Sequence, residues 1–204
     1  MLQTFSMRAL GKGSLASFMR VALEIVWVVL WIAAAGLALG AVGYAALMIV
    51  IASGALPADV LDVGAATIQL GPVTLHAESD ERFILPVVAP ALLAAGVAIA
   101  GALVIVSRLR RLFANFTSGE PFSADNAGHL RVIWITMLVM ELSRYAIAGI
   151  VIVLVSLFDA SETTEIEIQA PVNFMTWGAI FVLIVLAEVF REGARLKEEQ
   201  ELTI

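Results

Sequence analysis

Four long runs of apolar residues, separated by polar connections, constrain this chain more than any other feature. A helix that crosses a bilayer needs about 20 mostly apolar residues, because each residue advances it by about 1.5 Å across roughly 30 Å of hydrocarbon. With their helical flanks, the runs cover residues 21–53, 85–113, 124–158 and 172–197. The sequence therefore predicts an all-α membrane protein, a single domain built as a four-transmembrane-helix bundle.

Composition supports a membrane protein and narrows the chemistry that the chain could carry. Hydrophobic residues make up 61% and charged residues 15% of the sequence, against about 45–50% and about 25% in soluble domains. Cysteine is absent, which excludes disulfides, thiolate metal sites and cysteine nucleophiles. The histidines, His76 and His129, do not form the intramembrane pair that holds a haem. Because no catalytic motif is present either, we expect neither an enzyme nor a bound cofactor or metal.

Basic residues predict the orientation of the chain. Ten of the twelve lie in the two terminal segments or around the second connection, namely Arg8, Lys12, Arg20, Arg108, Arg110, Arg111, Arg131, Arg191, Arg195 and Lys197. Basic residues accumulate on the cytoplasmic side of a membrane. Both termini, the linker 110–131 and the tail 195–204 are therefore predicted to be cytoplasmic. The acidic connections 54–84 and 159–171 are predicted to be external.

The two external connections contain short alternating patterns. The stretch "ATIQLGPVTLHAES" alternates apolar and polar residues on both sides of Gly71 and Pro72, and "TEIEIQA" alternates in the second connection. Such alternation is typical of strands. We expect a small external β cap of about three strands, which either only ties helix ends together or also senses a ligand.

Glu141 and Arg144 are the ionisable residues deepest in a predicted span. A charge near the bilayer centre costs at least about 2.5–3.5 kcal/mol on insertion scales, but the i, i+3 spacing lets this pair neutralise itself on one helical face. Together with Ser143, the pair either holds neighbouring helices in register or forms a polar pocket for an ion, a proton or a lipid head group. Glu24 and Glu188 either extend that pocket, with Arg144 or Arg191 as counter-charges, or are hydrated interfacial carboxylates.

Small residues in the first span recur at helical spacing. Gly36, Gly40 and Gly43 lie on one side of the predicted helix, and such a face lets a second helix approach closely. The approaching helix could belong to the same bundle or to a second copy of the chain.

The linker between the second and third spans is predicted to be a helix stop followed by a helix start. Thr117, Ser118 and Gly119 end one helix, and Pro121 excludes helical geometry for the residue before it. Ser123 is suited to cap the next helix, and Asp125 complements its dipole.

Two segments of the chain resemble a known family. One is the linker cassette Leu112, Phe113, Phe116, Gly119, Pro121, Phe122, Asn126 and Leu130, and the other is the C-terminal sequence "AEVFREGARLKEEQELTI". Both are similar to the bacterial membrane family called domain of unknown function 2975. The resemblance implies a four-span protein of the bacterial inner membrane without established biochemistry. It also implies a cytoplasmic partner, because family members often resemble companions of small helix-turn-helix regulators.

The leading functional hypothesis is a non-enzymatic sensor or anchor that regulates such a partner and does not itself bind nucleic acid. Its expected contact residues lie in the linker and the tail, namely Phe116, Gly119, Pro121, Phe122, Asn126, Leu202 and Ile204. The alternative is a small transporter or channel component that uses Glu141 and Arg144. A lipid-modifying enzyme and a purely structural subunit are further alternatives.

Overall fold

The computed structural model describes residues 15–55, 66–70, 73–77, 81–117, 124–158, 165–168 and 172–201. These residues form four helices and three short strands. In chain order they are α1 (Leu15–Ala52), β1 (Ala66–Leu70), β2 (Val73–Ala77), α2 (Glu81–Thr117), α3 (Ala124–Phe158), β3 (Glu165–Ile168) and α4 (Phe174–Glu201).

Each helix contains an apolar stretch long enough to cross a bilayer. The stretches are Phe18–Ala52, Val88–Asn115, Asp125–Leu154 and Phe174–Gln200. Large apolar side chains along them are exposed in the isolated chain, including Ile32, Leu39, Ile49 and Phe181. In water such extended apolar surfaces would be an aggregation hazard, whereas lipid covers them without cost. The chain is therefore a multi-pass membrane protein.

The C-terminal end of α1 is closed by a glycine in the left-handed region. Gly54 has a φ of +72°, a conformation that is unstrained only for a residue without a Cβ. The amides of Gly54 and Ala55 donate to the carbonyls of Ile51 (3.0 Å) and Val50 (3.3 Å). These two bonds form a Schellman motif, which satisfies carbonyls that the helix itself leaves unpaired.

The ends of α2 and α3 agree with the predicted interruption of the linker. Helix α2 ends at Thr117, and α3 begins at Ala124 with Asp125 in its first turn. Ser123, the predicted cap, lies outside the described residues. Helix α4 continues to Glu201, so the first part of the predicted tail is helical.

The three strands form one antiparallel sheet in the order β1-β2-β3. Val73 of β2 is in register with Leu70 of β1 and with Ile168 of β3. The sheet therefore joins the connection before α2 to the connection after α3, at the positions where the sequence alternates.

The contacts within the chain define two compact units. The first comprises residues 1–31, 101–138 and 174–204, and the second comprises residues 32–100 and 139–173. Buried side chains of the first unit are Leu23, Val106, Leu112, Asn126, Leu130, Ile133, Ile180 and Ala194. Those of the second unit include Glu141, Ile147, Ala148 and Val151.

The glycine face of α1 is open within the described part of the chain. A Cβ added at Gly36, Gly40 or Gly43 would meet no atom within 4 Å. A close approach by another helix of the same bundle, one of the two predicted alternatives, is therefore absent there. The other alternative, contact of this face with a second copy of the chain, remains a prediction.

Candidate functional site

A cluster of three polar side chains lies on α3, in the second unit. Glu141 is near the middle of the apolar stretch Asp125–Leu154 and is only 6% exposed. The Nη2 atom of Arg144 is 3.5 Å from Glu141 Oε1. The guanidinium of Arg144 also lies over the ring of Tyr145, 5.3 Å from its centroid. The predicted i, i+3 pair is thus present, and Tyr145 contacts it through Arg144.

The cluster retains unused hydrogen-bonding capacity. Glu141 Oε1, Arg144 Nε and the Tyr145 hydroxyl are buried and have no hydrogen-bond partner among the described residues. An ion pair at 3.5 Å is also longer than the roughly 2.7–2.9 Å of a charge-assisted hydrogen bond. Because a buried unsatisfied polar group costs about 1–3 kcal/mol, this arrangement favours an additional small polar occupant such as water or an ion.

Ser143 does not take part in this cluster. Its hydroxyl donates to the carbonyl of Val139, at 2.6 Å, in its own helix. Such back-bonding satisfies the hydroxyl locally. The geometry therefore does not support the predicted role of Ser143 in holding neighbouring helices in register.

Glu24 belongs to a different site, in the first unit. Its Oε1 atom accepts a hydrogen bond from Arg110 Nη2 at 2.6 Å, and this contact joins α1 to α2. The counter-charge of Glu24 is therefore Arg110. The sequence had suggested Arg144 or Arg191. The Arg110 guanidinium also lies 5.1 Å from the centroid of the Trp27 ring.

An open cleft of about 380 Å³ surrounds the Glu24–Arg110 pair, lined by residues of both helices. From α1 come Arg20, Glu24 and Trp27, and from α2 come Ser107, Arg110 and Arg111. We call this the α1/α2 cleft. The sequence pattern does not indicate that these residues of α1 and α2 meet, although the spacing within each helix puts them on one face.

Glu188 lines a second cleft, between α3 and α4. This α3/α4 cleft has a volume of about 680 Å³, and its walls include Arg131, Trp134, Glu188 and Arg191. Glu188 accepts hydrogen bonds from Arg191, one turn further along α4, so Arg191 is its counter-charge, one of the two predicted. Both side chains are more than half exposed, as expected for an interfacial carboxylate. Glu24 and Glu188 therefore line separate clefts and not one pocket.

Asn126 is fully buried, with no accessible surface. Its Oδ1 atom accepts a hydrogen bond of 2.8 Å from Asn115 Nδ2, which connects the start of α3 to the end of α2. This burial does not support the predicted contact of the Asn126 side chain with a partner, because a side chain without exposed surface offers none for binding. The other predicted contact residues are not tested: Gly119, Pro121, Phe122, Leu202, Ile204 and the side chain of Phe116 lie outside the described part.

The far end of α4 carries an exposed series of ion pairs. Arg195 Nη2 is 2.9 Å from Glu192 Oε1, and Arg195 Nε is 3.3 Å from Glu199 Oε1. These i, i+3 and i, i+4 pairs follow the Glu188–Arg191 pair along the helix. The last turn has no basic residue, so the end of α4 is acidic.

Four helices with bilayer-length apolar stretches and a polar cluster inside one of them define a multi-pass membrane protein. A family model described as "Protein of unknown function (DUF2975)" matches residues 75–204, which is more than half of the chain, and the chain therefore belongs to this family. The matched part contains α2, α3, β3 and α4, together with the polar cluster on α3 and the ion pairs on α4. No curated protein and no solved structure matches the chain.

Proposed function

We propose that this protein is a non-enzymatic component of the bacterial inner membrane that anchors and regulates a small cytoplasmic helix-turn-helix transcription regulator. Both termini and the linker 110–131 face the cytoplasm, and the sheet faces outward. The distribution of basic residues supports this orientation, and the kind of partner is what the resemblance of the linker and the tail implies. The observation that carries the proposal is the exposed acidic end of α4.

The acidic end of α4 is not explained by the stability of the helix. A helix C-terminus carries a partial negative charge, so that acidic side chains in its last turn are unfavourable by a few tenths of a kcal/mol each. Glu198, Glu199 and Glu201 nevertheless lie there, and the last turn has no basic residue to offset them. Glu199 is 61% exposed, while it shares Arg195 with Glu192. An interaction with another molecule is a better reason for this composition.

A DNA-binding regulator has the complementary charge. Its DNA-binding face is basic, because it neutralises phosphates. An acidic helix that covers this face would hold the regulator at the membrane and compete with DNA. Release of the regulator, by a signal acting on the membrane domain, would then restore DNA binding. Because the contact is electrostatic, its affinity should fall as salt concentration rises.

The experiment compares two double variants of the full-length protein in nanodiscs, with a purified small helix-turn-helix regulator from the same organism as the binding probe. Glu198→Gln with Glu199→Gln removes two charges from the end of α4. Glu188→Gln with Glu192→Gln removes two from the same helix nearer the membrane. We expect the first change to raise the Kd roughly tenfold or more, since contacts of charged groups contribute about 1.5–3 kcal/mol, and the control to change it less than about twofold. Equal Kd values for both variants and the native protein would contradict the proposal.

The polar cluster on α3 favours a second candidate function, a small transporter or channel component. Its buried atoms at Glu141, Arg144 and Tyr145 have no hydrogen bond among the described residues, and ionisable groups of this kind inside a membrane bind ions or exchange protons. Glu141→Gln should then abolish cation or proton flux in proteoliposomes. Ser143→Ala, which removes only a bond within α3, should leave the flux unchanged. Flux that is insensitive to Glu141→Gln would remove this candidate.

A further inference from the structure

We propose that the α1/α2 cleft is a binding site for the phosphate group of an anionic membrane lipid. The cleft has three arginines and one carboxylate, and its excess of positive charge attracts an anion. This site is distinct from the acidic end of α4, and neither proposal depends on the other.

The spacing of the lining residues makes the cleft a continuous surface of two helices. Arg20, Glu24 and Trp27 follow each other at i, i+4 and i+7 on α1. Ser107 is followed on α2 by Arg110 at i+3 and Arg111 at i+4. Residues with these separations share a helical face. Two matching faces therefore oppose each other across the cleft.

One arginine of the cleft is already committed, and it organises the site. Arg110 donates to Glu24 at 2.6 Å and lies over the Trp27 ring at 5.1 Å. These two contacts hold the guanidinium and neutralise Glu24. Arg110 therefore positions the walls of the cleft without supplying its excess charge.

The other two arginines supply that excess charge. Arg20 and Arg111 are exposed, and neither forms an ion pair with any residue that the structure describes. A guanidinium matches the oxygens of a phosphate through two parallel N–H bonds. Because one of these guanidinium groups is on α1 and the other is on α2, a single phosphate between the two helices can be bound from two sides.

The cleft lies at the level of the lipid head groups. In sequence, Arg20 is two residues after Phe18, where the apolar stretch of α1 begins. Arg111 is four residues before Asn115, where the apolar stretch of α2 ends. Trp27 is also of the residue type that is enriched at membrane interfaces. A phosphate bound here would therefore be at the depth of a phospholipid phosphate.

Apolar surface continues from the cleft toward the centre of the apolar stretches. Trp31 is four residues after Trp27 on the same face of α1 and is 56% exposed, with the two rings edge to face at 6.0 Å. Val104 is three residues before Ser107 on the same face of α2 and is 38% exposed. A charged site that continues into exposed apolar side chains fits an amphiphile better than free phosphate.

The α3/α4 cleft provides an internal comparison. It also contains tryptophan, arginine and a Glu–Arg pair, but that pair lies within one helix. Its walls contain two arginines, and Arg191 is paired with Glu188. Among the described residues, Arg131 is therefore the only lining arginine without an ion pair. A single guanidinium binds a phosphate from one side only. Arg131 is therefore a suitable control for the arginines of the α1/α2 cleft.

The test measures lipid selectivity of the full-length protein by native mass spectrometry, with phosphatidylglycerol titrated against phosphatidylcholine. We expect selective binding of phosphatidylglycerol by the native protein and by Arg131→Gln. The double variant Arg20→Gln with Arg111→Gln should weaken that binding about tenfold or more, since two charge-assisted contacts are lost. Arg20 and Arg111 are exposed and unpaired, so this variant should keep its melting temperature.

Two binding results and one fluorescence result would overturn the proposal. The first is equal affinity of the double variant and the native protein for phosphatidylglycerol. The second is displacement of the lipid by millimolar inorganic phosphate, which would make the cleft a site for free phosphate. As a second measurement, brominated phosphatidylglycerol should quench the fluorescence of the native protein more than that of a Trp27→Phe variant. Equal quenching of both proteins would place the lipid elsewhere.

Discussion

At the scale of single residues, burial separates the polar side chains into different roles. Asn126 is fully buried and bonded to Asn115, whereas Glu24 lines an open cleft while it is bonded to Arg110. Glu141 is buried, and its Oε1 atom, which is 3.5 Å from Arg144 Nη2, accepts no hydrogen bond from the described residues. Because satisfied and unsatisfied buried groups differ by about 1–3 kcal/mol, a satisfied amide serves structure and an unsatisfied carboxylate is a candidate for binding.

The bond between the two asparagines yields a prediction about stability. Asn126→Ala would leave the half-buried amide of Asn115 without this acceptor, and we expect the loss of one hydrogen bond, about 0.5–1.5 kcal/mol. Asn115→Ala with Asn126→Ala should cost less than the sum of the two single changes, since the pair is then removed together. Thermal unfolding in detergent measures this.

The control for this prediction is a serine with a purely local bond. The Ser156 hydroxyl donates to the carbonyl of Ile152 in its own helix at 2.8 Å, so Ser156→Ala should change the melting temperature little. Additive losses for the two asparagine substitutions would show that their hydrogen bond does not couple α2 to α3.

At the scale of elements, the sheet determines which residues of the two connections meet. Strand β2 is central, and its Val73 is in register with Ile168 of β3. Strands β1 and β3 do not pair with each other. The alternation of residues in the sequence is compatible with a β1–β3 pairing as well. Register between segments so far apart in the chain is a tertiary property, because the pattern alone is compatible with several pairings.

The register predicts which cysteine pairs cross-link. The native chain has no cysteine, so introduced pairs can be read without background. Cysteines at Val73 and Ile168, which are Cα partners, should form a disulfide readily, because neighbouring strands bring Cα atoms within about 4.5–5.5 Å.

A pair shifted along the strand is the control for the cross-link. Cysteines at Val73 and Ile166 are two residues out of register, and their Cα atoms should be too far apart for an unstrained disulfide. Non-reducing electrophoresis of the oxidised protein distinguishes the variants. If the shifted pair forms as fast as the pair in register, the strands slide or pair differently.

At the scale of the whole molecule, the orientation in the membrane connects the proposals. The acidic end of α4 can meet a cytoplasmic regulator only if the C-terminus is inside the cell. Charge distribution supports this orientation, because ten of twelve basic residues belong to the segments proposed to be inside. The same orientation puts the sheet outside.

Single cysteines test the orientation directly. Gln69→Cys in β1 should react with a membrane-impermeant maleimide in intact spheroplasts, whereas Gln200→Cys near the end of α4 should react only after permeabilisation. Labelling after denaturation controls for expression and for local shielding. The opposite labelling pattern would show that the protein has the reverse orientation in the membrane, and it would contradict a cytoplasmic contact through α4.

The sequence by itself determined the four spans, the interruption between α2 and α3, the strand-forming segments and the pair on α3. Each of these follows from local periodicity, from helix-ending residues or from spacing within one helix, which neighbouring residues specify. Only the tertiary structure decided that Glu24 pairs with Arg110, that Asn126 is buried and that two clefts carry arginines. Those features depend on which faces of different helices meet, and in lipid the apolar pattern does not specify this, because lipid and protein interiors are equally apolar.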